Sequence, residues 1–67
     1  MKIVLNGEER EFNKDNMTIK DLVEELQIKA PNFAVAVGID VIPKSEYETY
    51  KLKDGDKVEV VTFVGGG

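Results

Sequence analysis

The glycines at the C-terminus are the part of this chain best suited to covalent chemistry. Gly65, Gly66 and Gly67 follow an apolar run that ends at Val64. Because glycine has no Cβ, a backbone made of it can pass through a slot that would exclude any other residue. The four residues from Val64 to Gly67 reach at most roughly 13 Å when extended, at about 3.3 Å each. We therefore predict that Gly65 and Gly66 form an access path that carries the carboxylate of Gly67 into a partner's active site.

A frayed terminus is the plainer interpretation of the same glycines, since chain ends are often poorly ordered. The composition helps to choose between the two. The chain has no cysteine and no histidine, which excludes a thiolate nucleophile, a Ser-His pair, an imidazole base and zinc sites of the Cys/His type. Its 13 aspartates and glutamates are spread along the sequence, as expected of a solvated surface. The carboxylate of Gly67 is thus the best candidate for a reacting group, and we predict neither a catalytic residue nor a metal site in the chain.

The net charge of the chain limits the classes of partner that it is expected to bind. A net charge of −4 without a basic stripe disfavours binding to nucleic acid and to anionic membrane surfaces. An acidic protein can instead be steered toward a basic surface of a partner protein. No segment is long and apolar enough to span a membrane, and the N-terminus lacks the apolar stretch of a signal peptide. We predict a cytoplasmic protein.

The elements that would position the glycines begin with a β-hairpin. Residues 1–5 alternate in the period of a strand, Asn6-Gly7 favours a tight turn, and the polar residues 8–12 form the return strand. Near the other end, residues 53–56 carry a turn signal and precede a last strand over 57–63. We expect the first and last strands to lie side by side at the centre of a sheet, because both are sufficiently apolar.

One helix is predicted after a polar, loop-like segment at 13–17. Thr18 and Asp21 have the spacing of a capping box, in which each side chain bonds the other residue's backbone N–H. Pro31 prevents the helix from continuing further. The helix carries one apolar stripe, at positions i, i+3, i+4 and i+7, made of Ile19, Leu22, Val23 and Leu26.

In the middle of the chain, the sequence predicts shorter elements. Residues 33–37 form a strand that is apolar on both faces, 38–40 a turn and 41–42 a short strand. Residues 43–49 are predicted to be a long polar connection, and 50–52 to touch the core again. The chain is therefore predicted to be an α+β fold in which one helix packs across a mixed sheet of four to five strands. It would comprise a domain over 1–63 and a flexible glycine tail over 64–67.

The sheet face that should point to solvent is unexpectedly apolar. Lys2 and Glu59 are its main polar residues. The helix side is predicted to hold Ile3, Leu5, Val35, Val37, Val58 and Val60. Exposed apolar patches often mark partner surfaces, although scattered exposed apolar residues are ordinary. We predict that the opposite face, next to the root of the tail, is a partner interface formed by Val4, Ala34, Ala36, Val61, Phe63 and Val64.

Five segments form an ordered set that spans essentially the full length of the chain: residues 1–8, 33–38, 41–47, 52–61 and 64–67. In this order and at this chain length, the set resembles the ThiS family, the sulfur carrier proteins of thiamin thiazole biosynthesis. The resemblance implies a ubiquitin-like β-grasp fold. It also implies a carrier that is not itself an enzyme and binds no cofactor, but serves as a co-substrate of partner enzymes.

The resemblance further implies a reaction sequence at Gly67. A ThiF-like activating enzyme would use ATP and magnesium to adenylate the carboxylate of Gly67. A sulfur donor protein would convert the adenylate to a thiocarboxylate, and a ThiG-like thiazole synthase would accept the sulfur. The residue chemistry agrees, because adenylation supplies the leaving group that a carboxylate lacks. The sulfur would be carried on a carbonyl carbon, so the absence of cysteine is no obstacle.

Three alternatives remain open from the sequence. The chain could be another sulfur carrier of the same fold, such as the small subunit of molybdopterin synthase. It could be a ubiquitin-like modifier that joins Gly67 to lysines of target proteins. It could also be a β-grasp interaction module with an inert tail.

Overall fold

The computed structural model describes residues 1–63, and the predicted tail at 64–67 lies outside them. The division into a domain and a flexible tail therefore stays a prediction. Within the described residues there are five strands, one α-helix and a short 3₁₀ helix at Lys44–Glu46. The larger elements are β1 (Lys2–Leu5), β2 (Glu8–Glu11), α1 (Ile19–Leu26), β3 (Asn32–Val37), β4 (Asp40–Ile42) and β5 (Lys57–Phe63).

The strands form one mixed sheet in the order β2-β1-β5-β3-β4. β1 and β5 pair in parallel, with Leu5 opposite Val58, and the other neighbouring strands pair antiparallel. The prediction that the first and last strands lie side by side at the sheet centre is confirmed. β5 is the central strand: β1 pairs with its first two residues, and β3 pairs with it from Val58 to Phe63.

The hairpin of β1 and β2 has the predicted tight turn. Asn6 and Gly7 both have positive φ, at 50° and 84°, as the two-residue turns that match strand twist require. All four residues of β2 are exposed and charged. A charged edge strand of this kind discourages pairing with another chain.

The capping box of α1 is confirmed. The Asp21 N–H donates to Thr18 Oγ1 at 3.1 Å, and the Thr18 N–H donates to Asp21 Oδ2 at 3.1 Å. The helix ends at Leu26, well before Pro31, because Gln27 adopts the left-handed conformation and its N–H bonds the carbonyls of the last turn. The apolar stripe faces the sheet, with Ile19 and Leu22 fully buried and Val23 and Leu26 packed beside them.

The capping box predicts an acid-sensitive contribution to stability. The hydrogen bond from the Thr18 backbone lowers the pKa of Asp21 below its ordinary value of 3.8. A carboxyl whose pKa is lower in the folded state stabilises the fold above its unfolded-state pKa, and this contribution is lost as the pH falls through the folded-state value. When the pH is lowered from neutral to below 3.8, we expect the free energy of unfolding to fall less in Asp21→Asn than in the wild-type chain. Urea unfolding at a series of pH values measures this, and identical pH profiles for the two proteins would contradict it.

Two segments that were predicted to be polar loops contribute to the core. Met17 is fully buried at the end of the loop before α1, and Tyr47 is 8% exposed at the end of the 3₁₀ helix. The Tyr47 ring stacks on Phe33, with centroids 6.1 Å apart, and the Lys44 ammonium lies 5.0 Å from the Phe33 centroid. Burial raises the pKa of the Tyr47 hydroxyl above 10.0. The interpretation of residues 43–49 as a purely polar connection was therefore wrong, because one short helical turn directs its aromatic residue inward.

The core otherwise follows the predicted alternation. The residues assigned to the helix side of the sheet are buried, except that Val60 is only partly so. The predicted contact of residues 50–52 is confirmed, since Leu52 is buried and Tyr50 packs against the core. The buried apolar residues are Ile3, Leu5, Met17, Ile19, Leu22, Val35, Val37, Ile42, Tyr47, Leu52 and Val58.

Candidate functional site

The candidate site is built on β5, the strand that leads to the glycines. β3 pairs with β5 from Val58, which lies opposite Val37, to Phe63, which lies opposite Asn32. β1 pairs with the first two residues of β5, Lys57 and Val58. The last described residue before the tail is thus anchored in the sheet by strand pairing.

The turn before β5 is tied to β1 by short hydrogen bonds. The Lys2 N–H donates to Asp54 Oδ1 at 2.7 Å, and the Gly55 N–H donates to the Lys2 carbonyl at 2.7 Å. Gly55 has a φ of 90°, a conformation that favours glycine. These contacts fix where β5 begins relative to the rest of the sheet.

The strand registers place the predicted interface residues of the described region on one face of the sheet. Ala34 lies directly opposite Val61, and Ala36 lies opposite Glu59. Val61 is 55% exposed and Phe63 is 50% exposed. Their role as a partner interface stays a prediction, and Val64 and the three tail glycines lie outside the described residues.

Val41 belongs to the same face, although the sequence analysis did not include it. It lies opposite Ala36 in the β3–β4 hairpin and is 72% exposed. A two-residue turn at 38–39 would have placed Val41 opposite Ala36, but the sequence predicts a three-residue turn at 38–40, and the short strand after it has too little alternation to indicate its face. We use the name outer apolar patch for a set of five residues on this face: Ala34, Ala36, Val41, Val61 and Phe63.

Val4 lies on this face of the sheet but in a charged setting. It is half-buried between Glu9 on β2 and Lys57 on β5. Lys2 is opposite Glu11 in the next pair along β1. The outer face therefore has a charged half on β1 and β2 and an apolar half on β3, β4 and the end of β5.

The remaining surface features lie away from the outer apolar patch. One cleft of about 280 Å³ is lined by residues that include Phe12, Lys14 and Glu25, and a second of about 520 Å³ includes Asp15 and Lys51. Within residues 1–63 there is no group of three or more acidic side chains placed to hold a metal ion. In the same range, no helix has the length and apolar character needed to cross a bilayer.

One helix across a mixed five-stranded sheet, with the first and last strands parallel at its centre, defines a ubiquitin-like β-grasp protein. The candidate site is the end of the central strand and the surface around it, and its role stays a prediction. The chain belongs to the ThiS family, whose family model matches residues 3–67.

Individual relatives agree with this family. The sulfur carrier protein ThiS of Bacillus subtilis is 38% identical over 63 residues, which are 94% of this chain and 96% of that protein. A thiazole synthase of Paramagnetospirillum magneticum is 45% identical over 67 residues, and the chain spans only 20% of its length. The crystal structure of the thiamine biosynthesis protein ThiS from Geobacter metallireducens superimposes with a TM-score of 0.87 at 26% identity, with full coverage of both chains.

Proposed function

We propose that this chain is a sulfur carrier of thiamin thiazole biosynthesis and that the carboxylate of Gly67 is the group that carries the sulfur. The observation that supports this most directly is the family match, which continues through the glycines to residue 67. The relatives named sulfur carrier protein ThiS match this chain over nearly their whole lengths, so the likeness extends beyond a shared local motif.

The first step of the proposed chemistry is activation of a poor electrophile. A Gly67 carboxylate oxygen attacks the α-phosphorus of ATP in a ThiF-like enzyme, and pyrophosphate leaves. The magnesium ion that accompanies ATP belongs to that enzyme and neutralises phosphate charge. The product is a mixed anhydride whose leaving group is AMP rather than an oxide ion.

The second step exchanges oxygen for sulfur. The terminal sulfur of a persulfide on a donor protein attacks the Gly67 carbonyl carbon and displaces AMP, which forms a carbon–sulfur bond in place of one carbon–oxygen bond. A second thiol then reduces the sulfur–sulfur bond to the donor, which leaves the thiocarboxylate on Gly67 and a disulfide on the donor side. On a ThiG-like thiazole synthase the sulfur passes to the acceptor substrate, and an oxygen from water or from that substrate takes its place on the carbonyl carbon, which restores the carboxylate. The chain contributes the carboxylate, the narrow access path of Gly65 and Gly66, and a docking surface, so it acts as a co-substrate.

The outer apolar patch is the surface that we assign to docking of these enzymes. Its exposed side chains on β5 lie immediately before the residues that must enter the partner's active site. Central apolar anchors dominate the energetics of protein interfaces. A net charge of −4 would steer the chain toward a basic rim around such an apolar centre.

Exchange of pyrophosphate into ATP tests the activation step. We expect a ThiF-like enzyme to catalyse this exchange only when the chain is present, because reversal of adenylation needs its carboxylate. A matched control converts the Gly67 carboxylate to a primary amide and leaves every side chain unchanged. The amide should support no exchange above the enzyme alone, and equal exchange with both forms would contradict the proposal.

A further inference from the structure

The side chain of Asn6 makes a pair of hydrogen bonds to the central strand at the point where β1 ends. Its Oδ1 accepts from the Val60 N–H at 2.8 Å, and its Nδ2 donates to the Val60 carbonyl at 3.3 Å. The two residues are 54 positions apart in the sequence. Together these bonds engage both backbone groups of one β5 residue.

This pair of bonds continues a regular ladder between β1 and β5. The Val4 N–H donates to the Asp56 carbonyl and the Asn6 N–H donates to the Val58 carbonyl, both at 2.9 Å. The next step along β5 is Val60, but the backbone of β1 is no longer available there because Asn6 and Gly7 turn it back with positive φ. The carboxamide has one acceptor and donors in the planar arrangement of a peptide group, and it occupies the position of that next step.

We propose that the Asn6 carboxamide acts as the terminal peptide group of β1 and is a positioning residue, which fixes the direction in which β5 presents residues 64–67 to the activating enzyme. The structural half of this proposal, that Asn6 supports β5, rests on the hydrogen bonds above. The functional half, that Asn6 positions the tail for the enzyme, rests on the proposed sulfur carrier function.

The contact at Val60 lies where the pairing of β5 with β1 ends, so it affects the orientation of the residues that follow. Among residues 1–63, strand pairing beyond Val60 comes from β3 alone, at Val61, Thr62 and Phe63. Three extended residues span about 10 Å, so a tilt of about 10° at Val60 would move Phe63 by about 2 Å. Displacements of about 1 Å can cost an enzyme about 100-fold in rate. Support from the β1 side at Val60 therefore affects how accurately the tail is aimed.

Amide hydrogen exchange measured by NMR tests the structural half. Asn6→Gly removes the carboxamide but tolerates the positive φ of this turn. Gln27→Gly is the matched control, because Gln27 also has positive φ, at 54°, but caps α1. We expect exchange of the Val60 amide to become about tenfold faster in Asn6→Gly and to stay unchanged in Gln27→Gly, with Val58 steady in both. Unchanged exchange at Val60 in Asn6→Gly would overturn the proposal.

The pH dependence of Val60 amide exchange in Asn6→Asp tests the two hydrogen bonds separately. As a carboxylate, the new side chain can accept from the Val60 N–H but places its other oxygen against the Val60 carbonyl. Protonation, near the ordinary aspartate pKa of about 3.9, would restore a donor. We expect the ratio of Val60 exchange rates, Asn6→Asp over wild type at the same pH, to fall toward one as the pH is lowered through this range. A ratio above one that does not change with pH would overturn the two-bond arrangement.

Kinetics of sulfur loading test the functional half. With a ThiF-like enzyme, ATP and a sulfur donor, we expect kcat/KM for Asn6→Gly to fall about tenfold, while Gln27→Gly stays within about twofold of wild type. Faster Val60 exchange without a change in loading would overturn the positioning role. A wild-type chain that accepts no sulfur would instead reject the proposed function and with it this role, whereas the support of β5 would still be decided by the exchange data.

Discussion

Removal of Gly66 and Gly67 is expected to abolish sulfur loading while leaving the domain folded. The truncated chain would end two residues earlier, so its carboxylate would lie up to about 7 Å short of the reacting position, at about 3.3 Å per residue. Enzymes lose most of their rate for much smaller displacements, and we expect loading below detection, which means a loss of at least about 100-fold. Mass spectrometry of the loaded chain measures this directly.

The stability of the truncated chain is the control for this experiment. The buried apolar residues of the described region run from Ile3 to Val58, so the residues removed are remote from the core in sequence. We expect the free energy of unfolding to change by less than about 0.5 kcal/mol, measured by urea denaturation. A truncated protein that unfolds would show that the tail is structural and would contradict our account of it.

A variant of unchanged length shows whether the glycines are needed for the length of the tail or for its narrow backbone. Gly66→Val keeps the position of the carboxylate along the chain but adds a branched side chain to the access path. We expect it also to load poorly, because a slot that fits bare backbone has no room for a branched Cβ. Normal loading of Gly66→Val would show that the glycines provide length only.

The second large effect is expected for Phe63→Asp, which places a charge in the outer apolar patch at the end of β5. Phe63 is 50% exposed, so the change should cost the isolated fold little. In a complex, the same site would bury an unpaired carboxylate, which is strongly unfavourable. We expect the dissociation constant with a ThiF-like enzyme to rise at least about tenfold, which corresponds to about 1.4 kcal/mol.

Thr62→Asp is the matched control for Phe63→Asp. Thr62 is also exposed but is opposite Phe33 on the other face of the sheet. The two variants have the same net charge, so a general effect on electrostatic steering affects both equally. Calorimetric titration should show near wild-type affinity for Thr62→Asp and weak binding for Phe63→Asp. Equal affinity of Phe63→Asp and wild type would reject this docking surface.

Much of this fold follows from short-range signals that act independently of one another. The Asn6-Gly7 dipeptide supports the positive φ angles that set the first hairpin, and the spacing of Thr18 and Asp21 sets the start of the helix. The alternation in β5 separates its buried residues from Val61 and Phe63. In each case the physical cause lies within a few residues of the feature, so the sequence is sufficient to predict it.

The features that the sequence analysis missed depend on packing between distant segments. Met17 and Tyr47 are single core residues in polar surroundings, so no period marks them as buried. Val41 lies in a strand too short to show which face it occupies. The bonds of the Asn6 carboxamide to Val60 require the register between β1 and β5, which only the assembled sheet defines. The chemistry at Gly67 stays a proposal from the sequence and the family.

The most direct test of the central claim is the intact mass of the chain after incubation with ATP, a ThiF-like activating enzyme and a sulfur donor. We predict a mass increase equal to exchange of one oxygen for one sulfur, which fragmentation localises to Gly67 and which disappears when ATP is omitted. A lasting isopeptide adduct to a lysine would identify a protein modifier instead. An unchanged mass, with an enzyme that loads the ThiS of Bacillus subtilis in parallel, would contradict the account.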